Sequence, residues 1–280
     1  MKTCTTIAEL RAEITAFKRV GKRVGFVPTM GALHEGHLSL ARTLTEHSDV
    51  RVCSIFVNPT QFNDPKDYQA YIITLDNDKA LLEREGVDIL FAPSVAEVYP
   101  PGFQTSINVS EVSKPWEGAL RPGHFAGVAT VVTILCNAVT PDVAIFGEKD
   151  FQQLRLIEQM VRDLKMEIEI LRGALVRDDD GLALSSRNAR LSVEGRRDAL
   201  SISRGLSAAQ SALREGERNA DTLEALVARE IEKVQGAAIE YIAVVDEETL
   251  DKVSTVFGKC RILVVVRIEG VRLLDNIALR

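Results

Sequence analysis

Four short apolar runs, each closed by a polar turn carrying proline or glycine, punctuate the first half of the chain: KRVGFVPT (22–29), DVRVCSIFVNP (49–59), VDILFAPS (87–94) and PDVAIFGEKD (141–150). Runs of this length between turn residues read as buried strands. Between and after them, LSLARTLTEH, DKALLERE, GVATVVTILCNAV and FQQLRLIEQMVRDL carry the three-and-four spacing of helices. Strands alternating with helices predict an α/β fold: a Rossmann-like, mostly parallel sheet with helices on both faces. Ligands of such sheets bind beyond the carboxyl ends of the strands. Each polar turn falls at such an end.

Past about residue 190 the pattern changes. Two long amphipathic stretches (193–216 and 219–236) precede the strand-like AAIEYIAVVD and CRILVVVRIEGVRLLDN, the latter reading as a hairpin with Glu-Gly at its turn. These predict a smaller C-terminal α+β domain. The polar segment RDDDGLALSSRNAR (177–190) reads as the junction, giving domains 1–183 and 184–280, the second closing over the active site.

The chain has 280 residues, 46% hydrophobic and 26% charged, with a net charge of −6. It is long enough for a substantial core, and the acidic balance argues against a general nucleic-acid surface. No apolar run approaches the ~20 residues of a membrane span, and the amino terminus has no signal-peptide core. A soluble, cytoplasmic protein that binds neither membrane nor nucleic acid is the expectation. Cys4, Cys53, Cys136 and Cys260 lack metal or redox spacing; Cys53 and Cys136 lie in apolar runs and read as small buried hydrophobes.

Only four histidines are present, and two stand three apart in VPTMGALHEGHLSLA (27–41). A backbone that approaches a phosphate closely needs glycine, here Gly31 and Gly36. A helix opening near Gly36 would aim free N–H groups and its positive end at the same spot. His34 and His37 could donate hydrogen bonds to phosphate oxygens as charge develops. A structural pair or a metal site are the alternatives, although His-Glu-Gly-His misses the zinc-protease spacing. Asn58 and Gln61 are neutral amides suited to a neutral or carboxylate-bearing small substrate, or else ordinary turn-forming polar residues. Arg121 and His124 lead into a helix starting near Gly127, as a second anion site or a plain loop. Gly147, Lys149 and a capping Asp150 lie between a strand and a helix, with Lys149 able to reach a phosphate, or simply solvated beside a capped helix. Ser185, Ser186 and Arg187 have the chemistry of a mobile phosphate clamp, or of a linker. There is no P-loop and no dinucleotide fingerprint.

Taken in order, PTMGALHEGH, FVNPTQF, RPGHFAGV, FGEKDFQQL and DGLALSSRN closely resemble the pantothenate synthetase (pantoate–β-alanine ligase) family, over essentially the whole chain. The resemblance implies an AMP-forming ligase of the H-x-G-H nucleotidyltransferase superfamily, acting in pantothenate biosynthesis on the way to coenzyme A. Pantoate's carboxylate would attack Mg-ATP to give pantoyl adenylate and pyrophosphate, and β-alanine would then displace AMP. A nucleotidyltransferase acting on another small carboxylate or a phosphorylated substrate, and a non-catalytic binding module, are the alternatives.

The resemblance further implies site residues. His34 and His37 would bind the ATP phosphates, with His37 the usual proton donor, and Lys149 and Arg187 would assist catalysis. Met30, Gly31, Ala32, Leu33, Glu35 and Gly36 would line the nucleotide. Gly147, Glu148, Lys149, Asp150 and Val176 would hold adenosine and phosphates, and Leu184, Ser185, Ser186 and Arg187 would close over the triphosphate. Gln61 would touch pantoate and β-alanine, and Gln153 pantoate, with Asn58 and Arg121 in support. Asp78 would hold Mg2+, and the assembly would be a homodimer. The chain departs from the family at Ile72 and Ile73 (usually Pro-Arg), at Thr60 (usually Met) and at Asn77 (usually acidic), which implies altered active-site loop and metal behaviour.

Overall fold

The computed structural model describes residues 1–63, 68–69, 71 and 73–280. They form two compact units, one of Met1–Glu148 with Gln152–Ala174 and one of Lys149–Phe151 with Leu175–Arg280.

The first unit holds a parallel six-stranded sheet, made of β1 (Lys2–Cys4), β2 (Val24–Thr29), β3 (Val50–Ile55), β4 (Ile89–Phe91), β5 (Val143–Gly147) and β6 (Glu169–Gly173), in the order β1-β4-β3-β2-β5-β6. The four predicted strands are its centre, where both faces are covered and the sequence is continuously apolar. The two edge strands carry no such run, because β1 and most of β6 are partly exposed. The chain goes from β2 outward to β3 and β4, then returns to lay β5 on the other side of β2. Beside β2 the strand order reverses, the usual location of a ligand crevice.

Strand β2 does not stop at its proline. Pro28 pairs with Ser54 and Thr29 with Ile55, whereas the ladder to β5 covers only Gly25 and Phe26. A missing N–H is tolerated where pairing with the second neighbour has already stopped.

Helix α1 (Ile7–Arg19), absent from the sequence reading, is opened by a capping box between Thr6 and Glu9. Next come α2 (Glu35–Thr43), α3 (Leu75–Arg84), α4 (His124–Val139) and α5 (Phe151–Asp163). Helix α4 begins three residues ahead of Gly127 and is buried nearly all round, as its unbroken apolar sequence requires.

The second unit packs α6 (Val193–Arg214) and α7 (Ala220–Ile231) with an antiparallel sheet β7-β8-β9 (Ala238–Asp246, Cys260–Ile268, Val271–Leu279). The expected hairpin turns at Glu269-Gly270, with φ of 51° and 75°, the left-handed pair that matches strand twist. Gly205 brings the two helices together, since a Cβ there would stand 2.9 Å from the Val227 Cα. Leu182 belongs to this unit's core cluster, so the segment after Ala174 folds with the C-terminal residues. The expected junction at 183/184 cuts through it.

All four cysteines are free and buried. Burial pushes the Cys53 and Cys136 thiols up to about 12, so both stay protonated at neutral pH. A thiol-reactive reagent at pH 8 should therefore label less than one group per native chain and four after denaturation. Rapid native labelling of Cys53 or Cys136, read by mass spectrometry, would contradict this packing.

Candidate active site

The turn after β2 is held by its own side chains and by one carboxylate from a distant helix. The Thr29 hydroxyl donates to the Ser54 carbonyl (2.7 Å) and accepts from Gly31 N–H (3.2 Å). Gly31 and Ala32 are both left-handed, at φ 82° and 50°. A Cβ on Gly31 would stand 3.0 Å from both Asp78 Oδ2 and Ile55 Cγ2, so glycine is required there. Asp78, in the first turn of α3, is completely buried. Its Oδ2 accepts from Ala32 N–H (2.9 Å), and its Oδ1 from Leu33 N–H (2.9 Å) and the Thr74 hydroxyl (3.1 Å).

This corrects the expectation that Asp78 holds magnesium. A sealed carboxylate already taking three donors is a loop anchor, and Ala32 and Leu33 turn their amides to it and not to a ligand. Asn77, the departure beside it, is exposed. Ile72 lies outside the described residues; Ile73 is exposed.

Helix α2 starts one residue ahead of the expected Gly36, and its amino end is closed by the two histidines. His34 is the N-cap, and its Nδ1 accepts from Gly36 N–H (3.2 Å). His37 Nδ1 accepts from His34 N–H (3.4 Å), completing a reciprocal capping box. The His37 and Leu38 amides go to the His34 carbonyl. The first-turn amides expected to meet a phosphate are thus largely used by the imidazoles and the turn. The helix dipole and the rings themselves are what this end presents. In a neutral imidazole whose Nδ1 accepts, the proton sits on Nε2, so both rings are Nε2–H donors. Their centroids are 4.1 Å apart. Glu35, expected at the nucleotide, pairs with Arg42.

After β3, Pro59–Gln61 form a short 3-10 turn capped by Asn58, which is almost fully buried. Asn58 Oδ1 accepts from Tyr99 Oη (2.8 Å) and Thr60 Oγ1 (3.0 Å), while its amide donates to Gln61 Oε1 and the Gly127 carbonyl (both 3.1 Å). That saturation makes Asn58 a scaffold for Gln61 rather than a substrate contact. Gln61 Nε2 lies 3.0 Å from the Met30 sulfur, which brings two of the predicted site residues together. Thr60, the departure from methionine, engages Asn58 through its hydroxyl, and burial raises the Tyr99 phenol above its ordinary value. Arg121 bonds the Gln61 carbonyl and His124, and approaches Glu117 at 3.8 Å. The RPGH segment therefore buttresses the Gln61 turn instead of forming a second anion site. On α5, Gln152 is the buried amide, bonded to Glu117 N–H and to the Val112 and Pro115 carbonyls; Gln153 beside it is partly exposed.

Beyond β5, Glu148–Asp150 form one 3-10 turn leading into α5. Among the described residues nothing lies within 4 Å of where a Cβ on Gly147 would stand. In the second unit, Asn276 donates to the Lys149 carbonyl (2.9 Å), and the Arg261 guanidinium lies 4.0 Å over the Phe151 ring. Lys149 Nζ is 3.9 Å from Asp150. Asp275 takes Arg177 bidentately at 2.7 and 2.8 Å. The segment expected to be a flexible clamp is well bonded here. Val176 and Leu184 pair through Leu184 N–H, Arg177 bridges Ala183, and Ser185 caps a 3-10 turn over Ser186–Arg190. The Asp275-Asn276 dipeptide, in the middle of β9, thus tethers both the Lys149 and the Arg177 segments.

A family model described as pantoate-beta-alanine ligase matches residues 2–278. The chain belongs to that family. Pantothenate synthetases of Thermotoga petrophila and Trichlorobacter lovleyi are 45% and 46% identical to it, over 99% and 100% of this chain and 99% of each relative. The solved pantothenate synthetase of Thermus thermophilus superposes with a TM-score of 0.94 at 44% identity, covering 99% of both chains. The Francisella tularensis pantoate-beta-alanine ligase, solved with beta-gamma ATP and beta-alanine, gives a TM-score of 0.81 at 34% identity, over 99% of this chain and 97% of that one. These matches carry the α/β fold and ligase class expected from the sequence.

Within this pantoate–β-alanine ligase, Asp78→Asn should lower unfolding free energy by about 1–3 kcal/mol, the cost of leaving buried amides poorly paired. Half-saturating magnesium in the ligase assay should stay unchanged. A shifted magnesium dependence with unaltered urea unfolding would make Asp78 a metal ligand.

Proposed function

We propose that the chain condenses pantoate with β-alanine, using ATP as the activating substrate and releasing AMP and pyrophosphate through pantoyl adenylate. Family membership over nearly the whole chain supports the overall reaction. The observation in the structure that carries the chemistry is the pair of Nε2–H imidazoles at the amino end of α2, behind the carboxyl end of the central strand.

In the first step a pantoate carboxylate oxygen bonds to the α-phosphorus of ATP, and the bond to the bridging oxygen breaks, releasing pyrophosphate. Charge grows on the phosphate oxygens, and preorganised N–H donors stabilise it. A neutral Nε2–H is a good hydrogen-bond donor and a very weak acid, which favours His34 and His37 as charge stabilisers over a proton-donating His37. Lys149 and Arg187 would offset further phosphate charge. Met30, the open backbone at Gly147, Glu148, Asp150, Val176, Leu184, Ser185 and Ser186 would complete the ATP contacts. In the second step the β-alanine amine bonds to the acyl carbon, the bond to AMP breaks, and the amine loses a proton. Gln61 would orient pantoate and then β-alanine, with Gln153 beside pantoate.

Among the described residues no group of three or more His, Cys, Asp or Glu could hold a metal ion. Magnesium is read as arriving with ATP, in keeping with its reluctance to dehydrate fully. Among the described residues no helix is long and apolar enough to cross a membrane. A cytoplasmic homodimer is the assembly favoured by the family resemblance.

Labelled pyrophosphate should exchange into ATP with pantoate alone, before β-alanine is added. His37→Ala should slow that exchange about 100- to 1,000-fold, the usual cost of one preorganised donor, with thermal unfolding little changed. Exchange that requires β-alanine would rule out a free-standing adenylate step.

A further inference from the structure

We infer that His124, which contacts no proposed substrate atom, is a positioning residue that holds Gln61 through its backbone carbonyl. His124 opens α4 and is 6% exposed. Its two ring nitrogens face different partners: Nε2 lies 3.2 Å from Arg121 Nη1 and Nδ1 lies 2.8 Å from the Gln61 carbonyl oxygen. A guanidinium can only donate. Nε2 must therefore accept, and the neutral ring carries its proton on Nδ1, aimed at Gln61. Arg121 Nη2 adds a second, longer bond to the same oxygen, at 3.2 Å. Arg121 thus sets the tautomer of His124 and shares its load.

The Gln61 side chain is held separately, its amide nitrogen lying 3.0 Å from the Met30 sulfur. Its side-chain oxygen is held by Asn58, whose amide also reaches across to the Gly127 carbonyl in the first turns of α4. Gly127 lets the helix come this close, since a Cβ there would stand 2.7 Å from the Thr60 carbonyl oxygen. The turn bearing Gln61 is gripped from one side at its main chain and from the other at its side chain. Loss of the His124 bond leaves the carbonyl to the longer Arg121 bond alone, and the amide then presents itself to the substrate over a wider range of directions.

This inference rests on the reading of Gln61 as a substrate amide, and the experiment separates the two. Pantoate-dependent pyrophosphate exchange is measured for Gln61→Ala, His124→Leu and His124→Asn, with KM read separately for pantoate and ATP. Leucine and asparagine are nearly the same size, but only asparagine keeps an N–H where Nδ1–H stood. The expected result is a pantoate KM raised about 10- to 100-fold in His124→Leu, the scale of a misplaced positioning group, with ATP KM nearly unchanged and most of the loss restored in His124→Asn. If His124→Leu does not fold, Arg121→Met, which removes the second donor and releases the tautomer, carries the same expectation for the pantoate KM. Equal rises in both KM values, with no rescue by asparagine, would show a merely structural role and overturn the inference. A raised pantoate KM in Gln61→Ala beside an unchanged one in His124→Leu would overturn the positioning alone. An unchanged pantoate KM in Gln61→Ala would overturn the substrate assignment and the inference with it.

Discussion

The two imidazoles at the start of α2 are obliged to cap their own helix, and that obligation decides what chemistry they can offer. Each Nδ1 takes a backbone amide that would otherwise be unsatisfied. The ring protons are thereby displaced to Nε2. A doubly protonated ring could not accept, so charging either histidine removes a cap worth about 1 kcal/mol. Structure and function are coupled here through one nitrogen: the site donates hydrogen bonds because the helix needs acceptors.

The loop that delivers His34 depends in turn on Asp78. Placing a residue with a Cβ in the left-handed region costs roughly 1–2 kcal/mol, and Ala32 bears that cost at φ 50°. Bonds from amides to a buried carboxylate contribute about 1.5–3 kcal/mol each, and Asp78 receives two from the loop. The anchor outweighs the strain, so the turn keeps its shape without a ligand. The neighbouring turn works in a similar way, with Asn58, Tyr99, Arg121 and His124 holding Gln61. Around both turns, Asp78 and Asn58 bond to neighbouring protein groups and hold the turns in shape.

That bonding bears on what could be read from the sequence. The four inner strands and the helices between them were legible because a doubly covered sheet needs long apolar runs. The edge strands β1 and β6 were not, since edge positions lack that pattern, and α1 was hidden by its charged outer face. Residue chemistry singled out the turns that follow the strands, while the partners of their side chains show only in the fold. An aspartate near a phosphate site suggests a metal ligand until its burial and its three donors are seen, and Asn58 suggests a substrate amide until its partners are counted. Tyr99 and His124 act through contacts 41 and 63 residues away in sequence, a separation that no local pattern can show. Asn276 and Asp275 are likewise defined by segments 127 and 98 residues earlier, at Lys149 and Arg177.

The most direct test of this account is the tautomeric state of His34 and His37, read from long-range proton–nitrogen correlations in the ring-labelled protein above the pH at which the imidazoles titrate. The account predicts that both rings are Nε2–H tautomers, with Nδ1 showing the nitrogen shift of an unprotonated, hydrogen-bonded acceptor. A predominant Nδ1–H tautomer at either residue would contradict it, because the capping box and the Nε2–H donors could not then coexist.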